Sequence, residues 1–273
     1  MTTTATITAT SGLRILPAAV FEVRRPQRML ERSLLVTRRN WIIVFSGFFE
    51  PLFYLLSIRI GMSKLVGDVR FGGRVVDYAE FVAPALMAAS AMNGAVYDAT
   101  MNVFFKLKYA RLYDAVLSTP MTPADVALGE IGWAVTRGTL YAVAFLGTMW
   151  ALGMTGSIWV ILAVPFCMLV AFAFASIGMA ITTYMRSWVD FEYITAATLP
   201  LFLFSATFYP VSSYGEWGWV VQLSPLYHGV ALVRAANTGT LGWSAFPQVA
   251  ILLAMTLVGL VISSRRVKTL LLK

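Results

Sequence analysis

Long apolar stretches alternate along the chain with short segments rich in charge, proline or glycine. Each stretch approaches the roughly 20 residues that a helix needs to cross the hydrocarbon core of a bilayer. Backbone groups in hydrocarbon must hydrogen bond within their own segment, so each stretch is predicted to be a helix. The predicted spans cover about 41–60, 78–105, 127–152, 158–184, 193–209 and 246–263. The expected fold class is therefore an all-α membrane protein with six transmembrane helices.

Composition supports this interpretation and excludes other classes of protein. Of the 273 residues, 59% are hydrophobic and 12% are charged, and the mean hydropathy is +0.74. Soluble domains average about 45–50% apolar and about 25% charged residues. A soluble enzyme, a disordered protein and a nucleic-acid binder are therefore excluded, and the net charge of +8 needs another explanation.

The basic residues predict the orientation of the chain, because lysine and arginine are retained on the cytoplasmic side of a membrane. With six spans, both termini and the loops after spans two and four share one side. That side carries fifteen basic residues: Arg14, Arg24, Arg25, Arg28, Arg32, Arg38, Arg39, Lys106, Lys108, Arg111, Arg186, Arg265, Arg266, Lys268 and Lys273. The other side carries four: Lys64, Arg70, Arg74 and Arg234. We expect a multi-pass protein of the plasma (inner) membrane, with both termini cytoplasmic and in contact with anionic lipid.

The chain before the first span divides into two parts. Residues 1–25 are expected to be a disordered cytoplasmic tail, and residues 26–273 a transmembrane domain. No cleavable signal peptide is recognisable, so span one is expected to be a retained anchor. Residues 26–40 place apolar side chains on one helical face and arginines toward the other, which is typical of an amphipathic helix on the inner membrane surface. A basic flank that only follows the orientation rule is the alternative.

Two further segments are too polar or too broken to span. In the connector KLKYARLYDAVLSTPMTP (106–123), Tyr109, Leu112, Tyr113 and Leu117 fall at helical spacing. This stripe is either a docking surface for another protein or a set of side chains that fold back onto the bilayer. Residues 210–243, between spans five and six, are apolar but are interrupted by Pro210 and Pro225. They are predicted to form short re-entrant helices at the outer leaflet.

Charged residues inside the spans are informative, since each costs roughly 2.5–3.5 kcal/mol at a span centre. The candidates are Glu50, Arg59, Glu80, Glu130 and Arg137. Arg59 and Glu80 lie near the outer ends of spans one and two, where they could pair. Glu130 and Arg137 are seven residues apart, near one face of span three. These groups indicate either a polar path or structural pairing with one another or with helix ends, and the structural interpretation is favoured.

The side chains that most enzymes need are missing. None of the five lysines follows a glycine-rich phosphate loop, so no Walker A nucleotide site is present. A single histidine, His228, and a single cysteine, Cys167, cannot build a multi-ligand metal site. Asp190 and Glu192 form an acidic pair without a second cluster, which is a weak magnesium signal. We expect no catalytic residue, no metal and no cofactor bound by this chain.

Several local sequences are similar to those of the ABC-2 family of exporter permeases, in particular its nodulation-factor (NodJ-like) export group. They are FFEPLFYLLSIRIGMS (48–63), FVAPALMAASAMNGAVYDAT (81–100), ARLYDAVLSTP with GEIGWAVTRGTL, and FYPVSSY followed by SPLYHGVALVR. This resemblance implies a separate ATPase subunit, in two copies, that binds ATP and Mg²⁺ and docks on a cytoplasmic coupling helix at about Lys108–Leu117. It also implies a second permease chain, expected to be an identical copy, and a pathway lined mainly by spans two and five. The matching lining residues are Met92, Asn93, Tyr97, Phe202, Phe204 and Phe208.

The expected function is therefore that of the permease subunit of an ATP-driven exporter. An aromatic, uncharged fifth span favours an amphipathic substrate such as a lipid-linked oligosaccharide, a glycolipid or a hydrophobic drug. One alternative is a membrane-embedded lipid or isoprenoid enzyme, which would need a cytoplasmic cluster of acidic residues with bound Mg²⁺. The other is an ion-driven secondary transporter, which is expected to show internal repeats.

Overall fold

The computed structural model describes residues 24–39, 49, 52–71 and 74–271. The predictions for residues 1–23, for Glu50 and for most of span one lie outside these residues. Within them, the helices are α1 (Arg24–Arg39), α2 (52–66), α3 (Tyr78–Lys108), α4 (Leu112–Leu117), α5 (Pro123–Ala151), α6 (Ile158–Thr182), α7 (Asp190–Leu203), α8 (Gly218–Gln222), α9 (Pro225–Thr238) and α10 (Ala245–Leu271). Both α2 and α3 contain a π-helical turn, at Ile58–Met62 and Asp98–Asn102 respectively. A 3₁₀ segment, Val211–Trp217, precedes α8.

Helix α3 lies at the centre of the bundle and packs against α5, α6 and α9. Its sequence is rich in alanine, and small residues let neighbouring helix backbones approach closely. The approach is closest where glycines face another backbone. A Cβ added at Gly138 of α5 would lie 2.8 Å from the Ala91 carbonyl oxygen of α3. One added at Gly259 of α10 would lie 2.6 Å from the Ser176 carbonyl carbon of α6.

Three of the described helices, α3, α6 and α10, are long and apolar enough to cross a membrane. That six helices cross it stays a prediction. Helix α7 has 14 residues, about 21 Å at 1.5 Å per residue, against a hydrocarbon core of about 30 Å. The prediction of one helix over 193–209 was wrong for its last part. The chain leaves the helix at Phe204, and Ala206 adopts a left-handed conformation with φ of 56°.

The expectation of an all-α chain also needs correction, because a β-hairpin precedes α3. Strands β1 (Asp68–Phe71) and β2 (Arg74–Asp77) pair in antiparallel fashion, with Phe71 opposite Arg74. The sequence contains a signal for it, since two glycines separate two short runs of alternating character. The Asp77 side chain then caps α3 by accepting a hydrogen bond from the Ala79 N–H at 3.2 Å.

One end of the bundle collects α1, α4 and the carboxyl-terminal part of α10. Met29, Tyr113, Val126 and Val267 belong there to one buried apolar cluster. We call this end the basic end, because α1, Lys106, Lys108 and the last turns of α10 supply its cations. The opposite end carries the β-hairpin and the turn between α5 and α6. The segments predicted to share the cytoplasmic side therefore meet at one end of the bundle.

Helix α1 forms as predicted, but its apolar face is divided between two surroundings. Met29 is buried against α5 at Gly129, where an added Cβ would lie 2.4 Å from the Met29 Cβ. Leu34 and Leu35, one turn or more along, are 52% and 69% exposed. The first half of α1 is thus anchored to the bundle, and the second half presents apolar side chains that suit a membrane surface.

Candidate functional site

The predicted coupling helix is shorter than expected and begins after a sharp bend. Helix α3 continues to Lys108, and Tyr109 packs on the Phe105 ring at 5.6 Å between centroids. Arg111 has a φ of 44°, in the left-handed region, and α4 then runs for only six residues. Lys108 and Tyr109 are exposed. They belong to the bend and to the end of α3 rather than to the coupling helix itself.

The apolar side chains of α4 face the bundle, whereas Tyr109 of the predicted stripe is exposed. Tyr113 therefore takes neither of the two predicted surroundings, a partner protein or the bilayer. Tyr113 is only 2% exposed, and Leu112 and Leu117 are half-buried. The reason is that the buried apolar surfaces of α1 and α5 offer these side chains a partner within the same chain. The face of α4 that remains outside is polar and small. It consists of Asp114, Ala115 and Ser118.

Four elements meet around Tyr113 and Glu130, and Glu130 lies near the start of α5. The Lys106 ammonium of α3 is 2.6 Å from Glu130 Oε2, and the Glu130 side chain is 2% exposed. Burial raises the pKa of Tyr113 well above its ordinary value, the neighbouring Glu130 carboxylate raises it further, and the Arg32 guanidinium of α1 opposes this. We call Arg32, Lys106, Tyr113 and Glu130 the Glu130 cluster. It joins α1, α3, α4 and α5 at the basic end.

A second buried ion pair lies deeper, between α3 and α5. Arg137 Nη1 is 3.0 Å from Asp98 Oδ1, with the two side chains 8% and 1% exposed. Arg137 Nε also donates to the Tyr141 hydroxyl at 2.8 Å, and its guanidinium lies over the Tyr97 ring, 5.4 Å from the centroid. The Asn102 amide donates to Asp98 as well. This arrangement fits the structural interpretation of the intramembrane charges.

The partners of these charges were only partly predictable. Glu130 and Arg137 take separate partners on α3, and neither Lys106 nor Asp98 was singled out in the sequence. The signal was available, because Lys106 ends span two on the side where span three begins. The proposed pairing of Arg59 with Glu80 is not formed, since Arg59 donates to the Leu152 carbonyl at 2.9 Å. The Glu80 carboxylate instead lies against Gly156.

Of the six predicted pathway residues, the structure brings Asn93 and Phe202 into one cavity. It has a volume of about 280 Å³ and lies between α2, α3 and α7. The buried Ser90 hydroxyl also faces it, without a hydrogen-bond partner among the described residues. Tyr97 is 46% exposed, one turn further along α3. Met92 is fully buried in the core of the bundle and does not reach this cavity.

The two remaining pathway candidates follow the end of α7. Phe204 is 55% exposed, and Phe208 packs edge-on against Phe202 with 5.3 Å between ring centroids. Both lie in the irregular segment beyond Leu203 rather than on a helix. Phe208 therefore packs against a wall residue of the cavity, whereas no ring contact joins Phe204 to either of them among the described residues.

Sequence reasoning counted Arg234 only as an outer charge and missed its role in packing. This side chain is 4% exposed; its Nε donates to the Phe81 carbonyl at 3.2 Å and its Nη2 to the Ala206 carbonyl at 3.0 Å. The guanidinium also lies 3.9 Å from the centroid of the Phe81 ring. Arg234 of α9 thus ties the amino-terminal part of α3 to the irregular segment after α7. A single arginine within an apolar run was the only signal.

Asp190, one of the two acids that gave only a weak magnesium signal, holds the loop before α7. Asp190 begins α7, and its Oδ2 accepts hydrogen bonds from the backbone N–H groups of Arg186 at 2.6 Å and Ser187 at 3.1 Å. These bonds favour the charged carboxylate and lower the pKa of Asp190. Both oxygens of this group point back to the loop, since Oδ1 accepts from the Ser187 hydroxyl at 3.4 Å.

Known proteins are similar in sequence to most of this chain, including the region that contains the sites described above. The model of the family described as ABC-2 type transporter matches residues 27–237, from α1 to α9. Nodulation protein J of Rhizobium meliloti is 28% identical over 215 residues, which is 75% of this chain and 80% of the relative. Nodulation protein J of Rhizobium leguminosarum bv. trifolii is 29% identical over 214 residues, with the same coverage. The protein of that name from Azorhizobium caulinodans is 27% identical over 209 residues, 76% of this chain and 81% of the relative.

The matched region contains both buried ion pairs, α4 and Arg234, and thus the whole of the candidate site. The family is a membrane transport component, and the described chain has three helices long and apolar enough to cross a membrane. The chain belongs to the ABC-2 type transporter family, and within it resembles nodulation protein J.

Proposed function

We propose that this chain is the permease subunit of an ATP-driven exporter that moves an amphipathic substrate outward across the plasma membrane. The observation that supports the proposal is the way in which α4 packs on the bundle. Its apolar side is buried at the Glu130 cluster, while Asp114, Ala115 and Ser118 stay exposed at the basic end. A short helix held in this way can receive a force from outside and pass it to the bundle.

In this proposal two ABC ATPase subunits bind ATP and Mg²⁺ and dock on the exposed face of α4. Closure of the ATPases pushes α4, and the Glu130 cluster passes the displacement to α3 and α5. The coupling is a difference in free energy between two states of the permease, which each ligand biases through its own contacts. The chain itself supplies no chemical step. By the orientation rule, the basic end with α4 faces the cytoplasm.

The pathway in this proposal lies at the cavity between α2, α3 and α7, where a second copy of the chain completes it. No residue of α7 is buried within the described part of a single chain. A helix that is apolar all round is normally covered by lipid or by another protein. Asn93 provides polar contact and Phe202 aromatic contact, which together suit a molecule with a polar head and an apolar tail.

The docking step can be tested with one substitution and a matched control. Ala115→Trp places a large side chain at the centre of the exposed face of α4, and Ala151→Trp makes the same change at the exposed end of α5, at the opposite end of the bundle. The permease is co-expressed with an ABC ATPase of the same organism and purified by a tag on the permease. We expect Ala115→Trp to lose the ATPase and Ala151→Trp to retain it, with both variants equally monodisperse.

Equal recovery of the ATPase with both variants would remove α4 as the docking element. Reconstitution in vesicles tests the energy source. The permease alone should be inert, and export should require the ATPase with ATP and Mg²⁺. Uphill transport by the permease alone in an ion gradient would support the secondary transporter, and product formation without ATP would support the enzyme.

A further inference from the structure

A second, larger cavity lies along an adjacent face of α7 and shares Thr198 with the first, but the pathway proposed above does not use it. Its volume is about 670 Å³, and it separates α7 from α3, α6 and α10. The walls are almost entirely apolar, with Phe174 and Ile177 of α6, Ile194 of α7 and Met255 of α10 among them. Helix α7 therefore does not pack directly on the bundle along this side. An apolar gap of this size needs an apolar occupant.

The length of the cavity matches one leaflet of a bilayer. Its lining residues on α7 run from Asp190 to Leu201, about 16 Å along the helix axis at 1.5 Å per residue. Half of a hydrocarbon core of about 30 Å is about 15 Å. The volume also falls within the roughly 300–1,000 Å³ of known ligand pockets. These dimensions fit an acyl chain that extends from the membrane surface toward the midplane.

The mouth of the cavity lies at the basic end, where Arg186 lines it and Arg266 contacts another lining residue, Tyr184. The Arg266 guanidinium of α10 lies 4.2 Å from the centroid of the Tyr184 ring. Arg266 Nε is buried and has no hydrogen-bond partner among the described residues. The Asp190 carboxylate at the mouth accepts hydrogen bonds from the backbone N–H groups of Arg186 and Ser187, and the Arg186 charge also stabilises it.

We propose that this cavity binds one anionic glycerophospholipid from the leaflet at the basic end. The acyl chain lies along α7, and the phosphate lies between Arg186 and Arg266. Basic pockets between transmembrane helices are suited to anionic headgroups, and buried methylene groups supply the apolar part of the affinity. The lipid then serves as the packing partner of α7 on this side. The proposal does not rest on the proposed function, since it concerns a resident lipid and not the exported substrate.

The headgroup contact is tested with neighbouring arginines. Arg266→Gln removes the guanidinium over Tyr184, and Arg265→Gln removes an exposed guanidinium from the adjacent position. Purified variants are titrated with phosphatidylglycerol and phosphatidylcholine in mixed micelles, and bound lipid is counted by native mass spectrometry. One basic side chain near a headgroup favours an anionic lipid about fivefold. We expect Arg266→Gln to lose about that factor for phosphatidylglycerol, and Arg265→Gln and the phosphatidylcholine titrations to show no change.

The chain contact is tested with neighbouring alanines of α7. Ala197 lines the cavity and Ala196 does not, and both are exposed in the isolated chain. Ala197→Trp should fill the cavity and abolish retention of one phosphatidylglycerol per chain, whereas Ala196→Trp should retain it. Glycerol 3-phosphate, which has the head without the chain, should not compete. Equal retention in both tryptophan variants, competition by glycerol 3-phosphate, or equal affinity of the wild type for the two lipids would overturn the proposal.

Discussion

Replacing Asp98 with Asn should destabilise the bundle, because it removes the carboxylate that faces Arg137 at 3.0 Å in a site closed to water. The two side chains are 1% and 8% exposed, so solvent cannot replace the lost partner. Breaking a buried ion pair by removing one member costs about 3–5 kcal/mol. Arg137 keeps its hydrogen bond to Tyr141 and its place over the Tyr97 ring. We therefore expect about 3 kcal/mol for Asp98→Asn, at the low end of that range.

The pairwise part of this cost can be separated with a double-mutant cycle. Arg137→Gln should also destabilise, since it leaves the Asp98 carboxylate buried. The double variant removes both charges and leaves two amides that can hydrogen bond. The loss of unfolding free energy in the double variant should therefore be about 2 kcal/mol smaller than the sum of the two single losses. All variants are held in the same mild detergent and unfolded by titration with a denaturing detergent. Reversibility is checked by returning the protein to the mild detergent.

The exposed pair on α1 is the matched control for this cycle. Arg28 and Glu31 are 3.1 Å apart, but their side chains are 78% and 58% exposed. Neutralising this pair should change stability by no more than about 0.5 kcal/mol. Two results would refute the conclusion that Asp98 and Arg137 depend on each other in a buried site. One is an Asp98→Asn variant as stable as the wild type, and the other is a double variant whose loss of unfolding free energy equals the sum of the single losses. If the pair only holds α3 to α5, export should recover together with stability in the double variant.

Three further predictions concern packing and the ends of the bundle. Gly259→Ala should lower the free energy of unfolding by about 1–3 kcal/mol, because the added methyl group overpacks against α6. Gly147→Ala should raise it by up to about 1 kcal/mol, because the added Cβ would meet no described atom within 4 Å. Equal shifts of the two variants in thermal unfolding would contradict this packing. Tyr113→Asp should greatly reduce the monodisperse fraction in size-exclusion chromatography, because it buries a second carboxylate beside Glu130, and a yield equal to that of Tyr113→Phe would contradict the inward orientation. Arg234→Gln should speed amide hydrogen exchange in 204–210, because the Ala206 carbonyl loses its donor, and unchanged exchange would show that this segment is held by other contacts.

The sequence predicted where helices form more reliably than where they end. Long apolar runs in hydrocarbon have few alternatives to a helix, so α3, α6 and α10 lie where the runs predicted them. The end of α7 depends on a contact that a local window cannot detect. The Ala206 carbonyl is held by Arg234, which is 28 residues away in the chain. The β-hairpin is the opposite case, since its signal was local and was overlooked beside the stronger pattern of spans.

Helical periodicity also predicts that a face is apolar without predicting what covers it. The stripe on α4 is equally consistent with a partner protein, a membrane or the rest of the chain, and the structure assigns Tyr113 to the last of these. The same argument applies in reverse to α7, which is apolar but has no buried residue in the described chain. It faces two cavities that share Thr198, one lined by Asn93 and the other by Arg186. Our two proposals therefore rest on the polar groups beside each apolar surface, since the apolar surface alone does not distinguish a substrate pathway from a lipid-binding cavity.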